Sequence, residues 1–418
     1  MTHAVPVIDD SLEPTPTADP ASFVRFAFEG GALAPLVQAR LDALGAGEDD
    51  AARLLELGLL FQLVGEPERA MTCQAAALRI QRLYRHPATS APSLRLLVLA
   101  TAGDLMANTP LELMLEGRGV QITKLYVDPA QPPPPRAPEH DLAFMAVGES
   151  EAAMPTLQRL SEIEGRWPRP MVNRAAAIPD LARERLWRRL TDAPGLAIPP
   201  TMMMTREALA AAADARSFPG ELAGHGLPMI ARPVGSHAGK ALERIDDWDA
   251  LRAYLAATPA QTFYLSPFVD YAGADGLYRK YRIALIAGRP FLCHMAVSEH
   301  WMVHYLNAGM AESAAKRAEE AAAMEGFDAG FARRHAAGLD SLSRRLGLDY
   351  FAIDCAELAD GALLIFEADV AMIVHDLDPA PLYPYKKPQM RKVFDAFERF
   401  LRAAAAHGEV SLPRTRRR

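Results

Sequence analysis

The sequence predicts an α/β domain and an α+β domain behind an all-α start, and three observations carry that expectation. Over residues 93–180, apolar strand-like runs alternate with helical stretches, the pattern of a small open α/β unit. From about residue 196 the strand runs are joined by short turns, which makes the later sheet mainly antiparallel. Residues 21–86 read as helices throughout.

Bulk properties bound the function. The 418 residues are enough for two or three domains, and a hydrophobic content of 50% allows sizeable cores. The net charge of −7 is spread rather than blocked, which argues against general nucleic-acid or membrane-surface binding. Cys73, Cys293 and Cys355 are far apart with no ligand spacing, so neither a disulfide framework nor a zinc site is expected. The start "MTHAVPVIDDSLEPTPTADP" lacks the basic and apolar stretches of a signal peptide, and no run approaches a membrane span. A cytoplasmic protein is the expectation.

In order along the chain, residues 1–20 are polar and proline-containing and read as a disordered tail. Residues 21–88 form the helical region. Within it Leu57, Gly58, Phe61, Gly65, Ala70 and Ala77 have a spacing that resembles one tetratricopeptide repeat, with an ordinary helical hairpin as the alternative. "HPATSAP" (86–92) is a linker signal. The α/β domain spans 93–195, with "LRLLVLA", "VQITKLYV", "DLAFMAV" and "PMVN" as strands. "NTPLE" between the first two predicts a helix start capped by Thr109. The α+β domain spans 196–408, with a lid subdomain at about 200–268, and residues 409–418 form a basic, solvated tail. No G-x-G-x-x-G fingerprint and no Walker loop is present.

The chemistry-bearing signal lies in "LLIFEADVAMIV" (363–374). Ten of its twelve residues are apolar, and the other two are Glu367 and Asp369. On a strand these two share a face, where like charges repel and desolvation is costly. A cation removes the objection. Asp354 lies in a second strand-like run, and "LADGA" (358–362) joins the two runs as a hairpin turn. Pairing brings three carboxylates together, a set of hard oxygens suited to magnesium with nucleotide phosphates. A satisfied structural acid is the plainer alternative. In "ARPVGSHAGK", small residues let backbone N–H groups approach phosphate, with Arg232 adding a cation.

The order of these motifs resembles the ATP-grasp ligases, in particular the branch of glutathione synthetases and glutamate ligases that modify ribosomal protein. The resemblance covers about 93–405 and implies an ATP-grasp fold: a small α/β domain, then two α+β subdomains clamping the nucleotide. By it, Arg185 and Arg232 fall where the family has phosphate-binding lysines. Gly235, Ser236, Gly239 and Lys240 belong to a glycine-rich lid loop. The backbone of Ser266, Pro267 and Val269 faces adenine, and Phe268 packs inward. Arg282, with Lys280 where many members carry a ribose-binding acid, faces the reactive phosphate. Asp354, Glu367 and Asp369 are the magnesium ligands, Asp369 replacing the family's Asn. The implied activity is carboxylate–amine ligation through an acyl phosphate, with ATP and Mg2+ as cofactors. Its substrates are a small molecule or peptide carrying the acid and the amine. Alternatives are a phosphotransferase on the same fold and a non-catalytic ATP-binding scaffold. The family also implies a possible homodimer, and the N-terminal helices could hold a protein or peptide partner. The stretch "CHMAVSEHWMVHYLNAGM" follows the Arg282 strand. It offers His300, His304 and Asn307 for acceptor recognition, the two histidines standing i, i+4 if the stretch is helical.

Overall fold

The computed structural model describes residues 7–9, 11–45, 50–87, 91–131, 136–236 and 239–408. Four sheets organise it. The first large sheet has six strands in the order Thr15–Pro16, Leu83–Arg85, Val120–Tyr126, Leu94–Ala100, Leu142–Met145 and Met171–Val172. The last four pair in parallel, as alternation with helices requires. Leu96, Leu97, Val98 and Leu99 are all buried, which explains why that strand reads as a continuous apolar run.

The α+β part holds two sheets. An antiparallel four-stranded sheet has the order Met202–Thr205, Thr262–Pro267, Met229–Pro233 and Glu243–Ile245. It is backed by helices Arg206–Ala215 and Trp248–Ala257 and has its own apolar core around Leu209, Leu251 and Phe263. A five-stranded sheet has the order Arg289–Ser298, Tyr278–Ile286, Tyr350–Glu357, Leu363–Asp369 and Leu196–Ala197. Its first four strands are antiparallel neighbours. The expected hairpin at 358–362 joins two of them, with Gly361 at φ +84°, where a side chain would be strained.

Between the strands Thr15–Pro16 and Leu83–Arg85 lie the helices α1 (Pro20–Phe28), α2 (Ala34–Gly45), α3 (Ala51–Leu63) and α4 (Pro67–Ile80). α3 and α4 form a close hairpin. A Cβ on Gly58 would lie 3.3 Å from the Ala70 carbonyl oxygen, so the small residue sets the approach.

Three expectations are corrected. The described residues of the tail to residue 20 include two short strands: Val7–Ile8 pairs with Arg136–Ala137, and Thr15–Pro16 extends the six-stranded sheet. Sheet pairing satisfies its backbone groups, which composition does not reveal. Thr109 does not cap a helix; its hydroxyl bonds the carbonyls of Ala146 and Val370, tying the α/β domain to the strand end after Asp369. The stretch 299–304 is not helical, so His300 and His304 are not stacked one turn apart. Residues 409–418 lie outside the described residues, and no helix among those described is long and apolar enough to cross a membrane.

Candidate active site

A cavity of about 620 Å³ opens between the four-stranded and five-stranded sheets. The strand 350–357 places Asp354 directly opposite Glu367, and Ala352 opposite Asp369. The neighbouring strand 278–286 sets Arg282 opposite Asp354. Register alone therefore gathers the acids and the two expected catalytic cations.

Asp354 is fully buried. Arg282 grips both its oxygens, Nε to Oδ1 at 2.8 Å and Nη2 to Oδ2 at 3.0 Å, and Lys280 Nζ lies 2.6 Å from Oδ2. Burial by itself raises this carboxyl, but the two cations outweigh it and hold it well below the ordinary range. Both oxygens are thus in contact with protein cations. Among the described residues no group of three His, Cys, Asp or Glu side chains converges to hold a metal. Glu367 and Asp369 remain as hard-oxygen donors on the cavity wall. Two carboxylates are what magnesium commonly takes when phosphates and water complete its shell.

Glu367 is paired with Arg183, whose Nη1 also donates to the Phe366 carbonyl at 2.8 Å. Burial opposes ionisation of Glu367, but Arg183, Lys280 and Arg232 lower its carboxyl overall. Asp369 is the reverse case. Burial and the charge of Glu367 push it up to about 6, although it accepts the Ala371 N–H. Glu149 is pushed to about 7 by burial, Asp369 and Glu184.

These raised values make a prediction. Between the unfolded and folded values the native state holds the extra proton, so these two acids stabilise the fold as pH falls from about 7 towards 4. Asp369→Asn should melt higher than wild type at about pH 8, and the difference should shrink as pH falls through about 6 and nearly vanish at about pH 4. An equal difference in melting temperature at both pH values would show that Asp369 titrates normally.

The remaining candidates divide. Arg232, Gly239, Ser266, Pro267, Phe268, Val269, His304 and Asn307 line the cavity with Lys280 and Arg282. Arg232 has its guanidinium on the Ser236 carbonyl, and burial beside Arg183 lowers it to about 10. Gly235 and Gly239 both have positive φ (+73° and +74°). Gly235, Ser236 and Lys240 do not line the cavity, and His237 and Ala238 between them lie outside the described residues. His300 is exposed and away from the cavity. His304 is lowered by burial and by Lys280 and Arg282, so it is neutral, and it brackets a 3-10 turn with Asn307.

Arg185 needs correction. It is absent from the cavity wall, and the arginine that reaches Glu367 is Arg183. The helix Arg183–Leu190 begins at that residue, and two residues on a helix turn by about 200°, so only one of the pair can face the sheet. Also missed were His294, the cross-strand partner of Arg282, and His375 and Lys386, which line the same cavity. A lysine inside the apolar, aromatic "PLYPYKKPQM" was the available signal for the last.

No family model and no curated protein matches the chain. Solved structures with a similar arrangement include a RimK domain ATP-grasp protein from Sphaerobacter thermophilus, at 18% identity and TM-score 0.41, over 73% of this chain and 99% of that one. A D-alanine–D-alanine ligase from Bacillus anthracis complexed with ATP is similar at 14% identity and TM-score 0.43, over 76% of this chain and 100% of that one. The D-cycloserine synthetase DcsG is similar at 13% identity and TM-score 0.42, over 73% and 99%.

Proposed function

We propose that the cavity binds ATP with magnesium and joins a carboxylate to an amine. One observation carries this reading: Arg183, Arg232, Lys280 and Arg282 line a single cleft between two sheets together with Glu367 and Asp369. Four cations in one half-buried cleft suit a polyanion, and the two acids suit the metal that accompanies it. In this reading Glu367 and Asp369 hold magnesium, which when bound supplies charge neutralisation to the phosphates. Ser266, Pro267 and Val269 contact the base, and Arg232 holds the lid loop over the phosphates. Arg282 and Lys280 orient the acid. Its oxygen attacks the γ-phosphorus, the bond to the β-phosphate oxygen breaks, and ADP leaves. The amine then attacks the acyl carbon, loses a proton, and expels phosphate to leave an amide. No protein nucleophile is required. His304, neutral beside two cations, is a candidate acceptor of the amine proton.

The ion pairs of Arg282 and Lys280 with Asp354 favour a second reading, a scaffold that binds nucleotide without turnover, since both cations are already partly neutralised.

Titration calorimetry with MgATP tests the reading. Wild type should bind only with magnesium. Glu367→Ala should weaken binding by about 10- to 100-fold, whereas Asp369→Asn, which keeps an oxygen donor, should stay within about threefold. Absence of magnesium-dependent binding in wild type would sink both readings. Binding without phosphate release on any acid and amine pair would favour the scaffold.

A further inference from the structure

The cavity continues past the cation cluster into an apolar annex. Asp354 occupies Nε and Nη2 of Arg282, and Nη1 points onward to the Ile373 carbonyl at 3.3 Å, so the annex begins beside Arg282. Ala21 and Val24 of α1 pack with Leu113, Ile373 and Leu377 in a small cluster separate from the main core. All five also line the cavity, as does Met372. Helix α1 is fastened over this end by Arg25, whose Nη2 lies 2.6 Å from Glu116 Oε2 and 3.1 Å from Asp376 Oδ1. The N-terminal helical region is therefore part of the cavity wall rather than a separate module.

We propose that the annex receives the apolar tail of a carboxylate substrate, whose head lies at Arg282 and Lys280 and whose tail is covered by α1. The fate of that acid rests on the ligase reading, but its binding does not. Lys280 Nζ and Arg282 Nη1 keep donors beyond those given to Asp354, and a carboxylate there has its tail beside Ile373. Ala21, Val24, Leu113, Ile373 and Leu377 offer the tail aliphatic contacts, and the charges that line the same end, Asp378 and Lys386, already neutralise each other.

The experiment is calorimetry of octanoate and acetate on the full chain, each with and without MgATP. Burial of each methylene is worth about fourfold in affinity, so octanoate should bind at least about a hundredfold tighter than acetate. Ala21→Trp and Val24→Trp fill the annex and should each cost octanoate about tenfold or more while leaving MgATP binding unchanged. Melting curves establish which variants fold. Val24 is only partly buried and so decides the matter if the Ala21 variant does not fold. Octanoate binding no tighter than acetate on wild type overturns the proposal, and so does a folded tryptophan variant with wild-type octanoate affinity. Octanoate preference without any MgATP binding overturns the ligase reading alone; MgATP binding without the preference overturns the annex alone.

Discussion

Lys386→Met should cost about 3–5 kcal/mol of folding stability, the largest effect expected of any single change outside the cation cluster. Lys386 is the first residue of the C-terminal helix Lys386–His407 and only 2% exposed. Its ammonium lies 3.1 Å from Asp378 Oδ2 and 3.3 Å from Glu320 Oε1, and 3.9 Å from the centre of the Tyr305 ring. Glu320 is fully buried and accepts hydrogen bonds from the Met295 N–H and the hydroxyls of Tyr305 and Tyr385. Both phenols are pushed well up by burial and by Glu320, so they remain donors. Removing the lysine leaves the buried Glu320 carboxylate without its cation. Urea denaturation of wild type, Lys386→Met, Glu320→Gln and the double variant measures this. The double variant should lose less than the sum of the singles, because the pair interacts directly. Additive losses, or an unchanged midpoint for Lys386→Met, would show that the ion pair contributes nothing.

Arg282→Met should lower phosphate release by about a hundredfold or more, if the ligase reading holds, because a positioned cation at the transferring group is lost. Arg282→Lys separates charge from geometry. It keeps the charge but cannot grip both oxygens of Asp354 while presenting a further donor, so it should recover only part of the rate. The Met variant also leaves buried Asp354 with Lys280 alone and should be destabilised by about 2–5 kcal/mol. Single-turnover phosphate release and urea midpoints, measured on the same preparations, keep the two effects apart. Wild-type turnover in Arg282→Met would remove this residue from the chemistry.

Much of this site is legible in the chain because it depends on short-range rules. Two acids spaced by two in an apolar run must share a strand face, and an Asp-Gly turn between two such runs must pair them. That reasoning brings Asp354 opposite Glu367, as the strand register has it. What the acids do there is another matter. Asp354 reads as a bare carboxylate until the neighbouring strand is placed, when Arg282 and Lys280 pair with its oxygens. Pattern cannot choose between two arginines two residues apart, because the choice depends on where the helix starts and which way it faces.

The local pattern of apolar and polar residues, read alone, determined most element types, the parallel pairing of four strands in the first sheet and the antiparallel hairpins of the later ones, since side-chain period and turn length are properties of neighbouring residues. Only the tertiary structure decided which cation neutralises which acid. It alone also laid helix α1 over the far end of the cleft, where Val24 meets Ile373 and Arg25 meets Asp376. Those contacts join residues some 350 positions apart, and no local propensity encodes them; they form because burying both faces and pairing both charges is worth more than leaving them in water.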